Sequence, residues 1–287
     1  MLSMLKQIVI DKDAFIGINN GELCDFVKNH ILLISDTLLY ECATTKNCTP
    51  EDLLNLCQIL IENGAYFCSC SAHYLLWEAQ YNHPYPLFLG DLDVTESIRK
   101  RQAKLVDCLK SPKILQDVIS SRYDVAKKCF INISMELKGR LESQKPDVAK
   151  VIKKEISGDT SCLQGLCDCV DRGINHKMVM ALLSKNLIKD KPQLSPSSEW
   201  ISWQYVRLLN VIVMFYQSLG AKGGFPQNER VEHDFQDMEY VLLLSRADGL
   251  LTRDKRLVKP LAKAAFPDKG VFSSLDEVPD SYRFDWR

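Results

Sequence analysis

No apolar run in this chain is long enough to cross a bilayer. Runs such as residues 208–215 and 241–244 fall well short of the roughly 20 residues that a spanning helix needs, so no membrane span is expected. Residues 1–10 also lack the long apolar segment and small-residue cleavage site of a secretory signal, and the cytoplasm is the expected compartment. Charge of one sign is not in excess: 36 Lys and Arg face 37 Asp and Glu. A net charge of -1 gives the whole molecule no pull on polyanions, so any nucleic-acid contact must come from local basic patches. The eleven cysteines are odd in number and lack an export signal, which argues for reduced thiols rather than a disulfide scaffold. Neither Cys68, Cys70 and His73 nor Cys162, Cys167, Cys169 and His176 has the paired Cys-x-x-Cys spacing of a zinc site, so no structural zinc is expected. Gly220-Ala221-Lys222-Gly223-Gly224 lacks phosphate-loop spacing and reads as a flexible connection. Repeats and low-complexity tracts are missing, and 46% apolar with 25% charged residues is ordinary for a globular chain.

What is present is an alternation of short β-branched runs and helical patterns. Gln7-Ile8-Val9-Ile10, Ile31-Leu32-Leu33-Ile34, Ala65-Tyr66-Phe67-Cys68, Gly249-Leu250-Leu251-Thr252 and Val271-Phe272 read as buried strands. Helices are expected over 22–28, from Ser35 or Asp36 through Glu41, from Pro50 to about Asn63, and over 230–246 and 257–265. This predicts an α/β fold with a mostly parallel central sheet flanked by helices. Between about residues 94 and 220 the pattern turns to helices, at 95–109, 117–138, 147–156, 162–171, 177–187 and 198–219, with a Pro- and Ser-rich linker at 189–198. The expected division is therefore 1–93 and 221–287 as two parts of one α/β domain, with 94–220 as a large all-helical insertion.

Four acids stand at informative places in this pattern. Asp11 ends the first strand, and Glu41 lies in the helix after the second. Asp237 opens an apolar helix, and the chain then turns through Ala247-Asp248-Gly249 into a strand that ends in Thr252-Arg253-Asp254. Taken singly, Glu41 reads as a helix-surface acid, Asp234 and Asp237 as helix-start acids favoured by the macrodipole, and Asp248 as a turn residue.

In this order the residues resemble the PIN-domain family, part of the flap-endonuclease-like nucleases. There an Asp follows the first strand, a Glu lies in an early helix, and an Asp opens a late helix leading to a strand that ends in Thr-x-Asp. Asp11, Glu41, Asp237, Asp254 and Thr252 match these places, over about residues 7–41 and 234–272. Asp13 stands where Asn, Ser or Thr is frequent, and the stretch between Glu41 and Asp237 exceeds that of a minimal PIN domain. The resemblance implies that Asp11, Glu41, Asp237 and Asp254 hold Mg²⁺ or Mn²⁺, with Asp13, Asp234 and Thr252 supporting them. Hard oxygen ligands suit such ions, which can hold a phosphate and activate water.

Arg253, Lys255 and Arg256 flank Asp254 and are expected to guide a phosphate backbone. The clusters at 99–104, 127–128 and 153–154 read as solvated helix faces. Trp200 and Trp203, followed by Val206, Leu209 and Val213 at helical spacing, read as core rather than as base-stacking residues. The functional expectation is a divalent-metal-dependent nuclease, with single-stranded RNA favoured over DNA by the resemblance alone. The alternative is a catalytically weak binding or assembly module whose helical insertion meets a protein partner or a second copy.

Overall fold

The computed structural model describes residues 5–43, 71–85, 162–186, 196–220 and 228–284, with positions 49, 52, 55, 56, 59, 60, 63 and 65–68 between the first two stretches. The helices expected over 95–109, 117–138 and 147–156 lie outside the described residues, as do the basic clusters at 99–104, 127–128 and 153–154. So do the glycines at 223–224 and most of the linker at 189–198.

All five expected strands form, and they form one parallel sheet. β1 (Gln7–Ile10), β2 (Ile31–Ser35), β3 (Tyr66–Cys68), β4 (Gly249–Leu251) and β5 (Gly270–Phe272) lie in the order β3-β2-β1-β4-β5. β1 is central, with Ile8 opposite both Leu32 and Gly249. Every residue of β1, β2 and β4 is buried, as expected for strands covered on both faces.

Helices fill the connections. α1 (Lys12–Gly17) and α2 (Asn20–Val27) follow β1, α3 (Asp36–Ala43) follows β2, and α4 (Ser71–Tyr81) follows β3. Ser35 rather than Asp36 caps α3, its Oγ accepting from the Leu38 N–H at 3.1 Å. α1 and α4 were not expected. α1 begins at the metal-candidate position itself, where Asp11 Oδ1 accepts from the Ala14 N–H at 2.8 Å and caps the helix.

Later come α5 (Cys162–Gly173), α6 (His176–Asn186), α7 (Ile201–Gly220), α8 (Asn228–Leu244) and α9 (Val258–Ala265). α5 and α7 fall within the stretch read as an insertion, yet Leu163, Leu166, Val170, Leu208, Val211 and Ile212 belong to the same core as the strands. Arg207 of α7 ties these helices together. It pairs with Asp171 through Nε at 2.5 Å and Nη2 at 2.8 Å, and its Nη1 donates to the Ala265 carbonyl in α9 at 2.9 Å. Trp200 is buried against Ala79, Val179 and Val206, as the core reading expected.

Among the described residues, no helix is long and apolar enough to cross a membrane.

Candidate functional site

The strand order defines where a ligand site can form. Strands step outward from β1 to β3, then resume on the other side of β1 with β4 and β5. The crevice beyond the carboxyl ends of β1 and β4 is thus a topological switch point. Asp11 leaves β1 at this place, and Thr252 leaves β4 beside it, since Ile10 pairs with Leu251. The Asp11 N–H donates to the Leu251 carbonyl at 3.0 Å, and the Thr252 hydroxyl donates to Asp11 Oδ2. Thr252 Oγ1 in turn accepts from the Asp254 N–H at 3.1 Å. The Thr-x-Asp segment is therefore joined directly to the acid that ends β1.

Asp254 has a local duty as well. Its Oδ1 accepts from the backbone N–H groups of Arg256 at 2.5 Å and Leu257 at 2.9 Å, setting the turn into α9.

Glu41 is buried, which removes the surface-acid reading. It accepts from the hydroxyl of fully buried Tyr240 on α8, and Lys12 Nζ stands 3.9 Å away. Asp234 and Asp237 sit three residues apart on α8 and so share one face. Both are bound by Arg256 Nη2, at 3.3 Å in the case of Asp237, and Asp234 also accepts from the hydroxyl of buried Tyr216 on α7. Neither is simply a solvated acid at a helix start.

The proton affinities reflect burial first and neighbouring charges second. Burial pushes Asp11 up to about 6, against the hydrogen bonds from Thr252 and Ala14, with the charges of Asp13 and Asp254 adding to the rise. Burial, followed by the charges of Asp254, Glu41 and Asp234, pushes Asp237 up to about 8, and Arg256 pulls the other way without prevailing. Burial also raises Glu41, opposed first by its bond from Tyr240. Asp254 acts on both Asp11 and Asp237, and Glu41 acts on Asp237, so the four matched acids share one electrostatic neighbourhood.

The supporting residues divide. Thr252 and Asp234 are buried and bonded to the cluster, whereas Asp13 is exposed in the first turn of α1. The basic rim divides too. Arg253 is exposed with Nη1 donating to the Gly17 carbonyl at 2.5 Å, Lys255 is exposed, and Arg256 turns onto the acids. Tyr240 and Tyr216 were not anticipated. Tyr240 lies three residues beyond Asp237 on the same helical face, a spacing that could have flagged it. Tyr216 gives no local signal, being one more aromatic in an apolar helix.

Carboxylates are the kind of ligand that suits a hard divalent ion, but each of these acids is held by a protein donor. Among the described residues, no three His, Cys, Asp or Glu side chains stand ready around a common ion. Compared with models of known protein families, with curated proteins and with solved structures, the chain finds no match.

Proposed function

We propose that this protein is a divalent-metal-dependent nuclease whose site is the acidic crevice beyond β1 and β4. The observation that carries the reading is the co-location of Asp11, Glu41, Asp237 and Asp254 at the switch point, with Glu41 raised in proton affinity by burial, Asp11 by burial and the charges of Asp13 and Asp254, and Asp237 by burial and the charges of Asp254 and Glu41. Such crowding of carboxylates favours any cation that can relieve it.

Asp11, Glu41, Asp237 and Asp254 would hold Mg²⁺ or Mn²⁺. A bound ion of this kind supplies a Lewis acid for the phosphate and a lowered pKa for water. Thr252 fixes the Asp11 carboxylate, and Tyr240 fixes that of Glu41. Burial and the charges of Asp254, Glu41 and Asp234 raise the proton affinity of Asp237, and a cation that offset those charges would lower it. Lys255, exposed beside Asp254, and Arg253, exposed with Nη1 donating to the Gly17 carbonyl, would meet phosphate oxygens. Single-stranded RNA is the proposed substrate, on the PIN-like order of the acids.

A non-catalytic binding module is the second reading, favoured by the contacts that Arg256 makes with both Asp234 and Asp237. Mn²⁺-dependent cleavage of single-stranded RNA, compared between the wild type and Asp11→Asn and Asp254→Asn, separates the two. Both variants keep an oxygen for their backbone bonds and should stay folded while losing about a hundredfold or more of the activity. A wild type that neither binds Mn²⁺ nor cleaves RNA or DNA leaves the second reading standing.

A further inference from the structure

We propose that His30 is a pH-sensitive latch for the last described stretch of the chain, residues 280–284, so that a proton taken up by its ring loosens this strap from the amino end of the sheet. The acidic crevice lies at the opposite end of the strands and plays no part in it.

The strap is seated across the strand entries. Lys6, just before β1, donates through Nζ to Ser281 Oγ at 3.3 Å and stands 4.6 Å from the centre of the Tyr282 ring. The Tyr282 hydroxyl donates to the Asp248 carbonyl ahead of β4 at 2.8 Å, and the ring meets Phe272 of β5 edge-on. Two strand glycines make room for it. A Cβ on Gly249 would come within 3.2 Å of the Tyr282 ring, and one on Gly270 within 2.6 Å of its hydroxyl. Finally the Phe284 N–H donates to the Asn29 carbonyl at 3.0 Å, ahead of β2.

His30 stands beside that last contact. It is 5% exposed, lies flat on Phe26 with ring centroids 3.9 Å apart, and holds Nδ1 3.0 Å from the Phe26 carbonyl. A carbonyl only accepts, so Nδ1 carries the hydrogen and Nε2 is the nitrogen left to take a second proton. The charged groups that act on the ring come from the strap: Arg283 opposes the added proton, and Asp280, paired with Arg283 at 3.2 Å, favours it less strongly. At the end of α2, Lys28 and Asp25 pair with each other at 2.7 Å on the exposed surface.

Burial, with Arg283 adding to it, holds the imidazole below its ordinary 6.5 against the pull of the Phe26 carbonyl and Asp280. A lowered histidine supports the fold above its ordinary value, and that support is lost as pH falls through the lowered one. Because the docked strap disfavours the proton, the proton equally disfavours docking. The strap is the part that yields, since one backbone bond from Phe284 holds it beside His30, whereas Phe26 is built into α2. Asp11 and Asp237 cannot mimic this response, because raised acids support the fold as pH falls.

Hydrogen exchange of the Phe284 amide in the full chain, corrected for the intrinsic effect of pH, tests the latch. Between about pH 7.5 and about pH 5.5 it should speed up about threefold or more in the wild type and stay flat in His30→Phe, which keeps the stacked ring. Reciprocally, the ring titration of His30, assigned by NMR among the five histidines, should move up in Arg283→Gln and in Tyr282→Ala, which frees the strap at its other end. These two variants leave the ring and its Phe26 contacts in place, so they decide the matter even if His30→Phe does not fold. A wild-type Phe284 amide indifferent to pH, a response that survives in His30→Phe, or a His30 titration unmoved in both strap variants would each overturn the proposal.

Discussion

The two ends of the parallel sheet both bury acids, but they satisfy them differently. At the amino end, Glu78 of α4 is fully buried and accepts three backbone N–H groups, from Ile201 at 2.8 Å, Ser202 at 2.8 Å and Tyr85 at 3.0 Å. It caps α7 from a distant part of the chain. Asp248 likewise accepts the Gln7 N–H at 2.9 Å, so the turn residue also anchors the start of β1. At the carboxyl end, Glu41, Asp234 and Asp237 accept from the side chains of Tyr240, Tyr216 and Arg256, and Asp11 from the Thr252 hydroxyl and the Ala14 N–H. Asp254 accepts from two backbone N–H groups, and its charge raises the proton affinity of Asp11 and Asp237. Backbone donors cannot leave without unfolding a helix, whereas hydroxyl and guanidinium groups can turn away. What separates the carboxyl end is therefore not burial but the like-charged neighbours of Asp11 and Asp237 and the side-chain partners of Glu41, Asp234 and Asp237.

The sharpest test of this contrast is Glu78→Ala. Removing that carboxylate leaves three buried N–H groups without an acceptor and exposes Arg246, which feels the Glu78 charge, to an unbalanced site. Urea denaturation should show a loss of about 4 kcal/mol. A loss below about 1 kcal/mol would erase the distinction between the two ends.

Next in size is a pH effect confined to the carboxyl end. The folded-state affinity of Asp237 lies at about 8 against an ordinary 3.8, and that of Asp11 at about 6. Both are raised, so the native state binds protons more tightly than the unfolded chain. Their favourable contribution is complete below about pH 4 and is lost as pH rises through 6 and then 8. The melting temperature in the presence of a chelator should fall over this window. Asp237→Asn should flatten the upper part of the curve, and an unchanged slope in that variant would show that Asp237 titrates as an ordinary carboxylate.

The smallest expected effect comes from Tyr240→Phe, which removes the hydroxyl from Glu41 and keeps the ring. It should cost about 1 kcal/mol in stability and weaken Mn²⁺ binding about tenfold by isothermal titration. Equal Mn²⁺ affinity with the stability cost intact would make Tyr240 a packing residue only.

The strands were legible because parallel strands covered on both faces must be apolar throughout, and Ile31-Leu32-Leu33-Ile34 has no other convincing use. The positions of Asp11 and Thr252 at strand ends followed from the same runs. α1 was missed because its cue is Asp11 itself, whose capping bond to Ala14 is hidden beneath its reading as a ligand. Arg256 was expected to face phosphate and instead faces Asp234, a partner 22 residues away that no periodicity connects to it. The role of α5 and α7 was blurred for a similar reason. Helical spacing shows which face is apolar but not which neighbour covers it, and here the neighbour is the sheet's own core.

The pairing of β1 with β4 also sets an order of events for a growing chain. Ile8 meets Gly249 across 241 residues, so the central strand waits for its second neighbour until nearly the whole chain is available. Contacts so distant in sequence form late and slowly. Until then Asp11 has neither the Leu251 carbonyl nor the Thr252 hydroxyl beside it, and Asp237 has no Arg256. The acidic crevice and its arginine are completed by the same late segment, so the charge that opens the site and the charge that covers it arrive together.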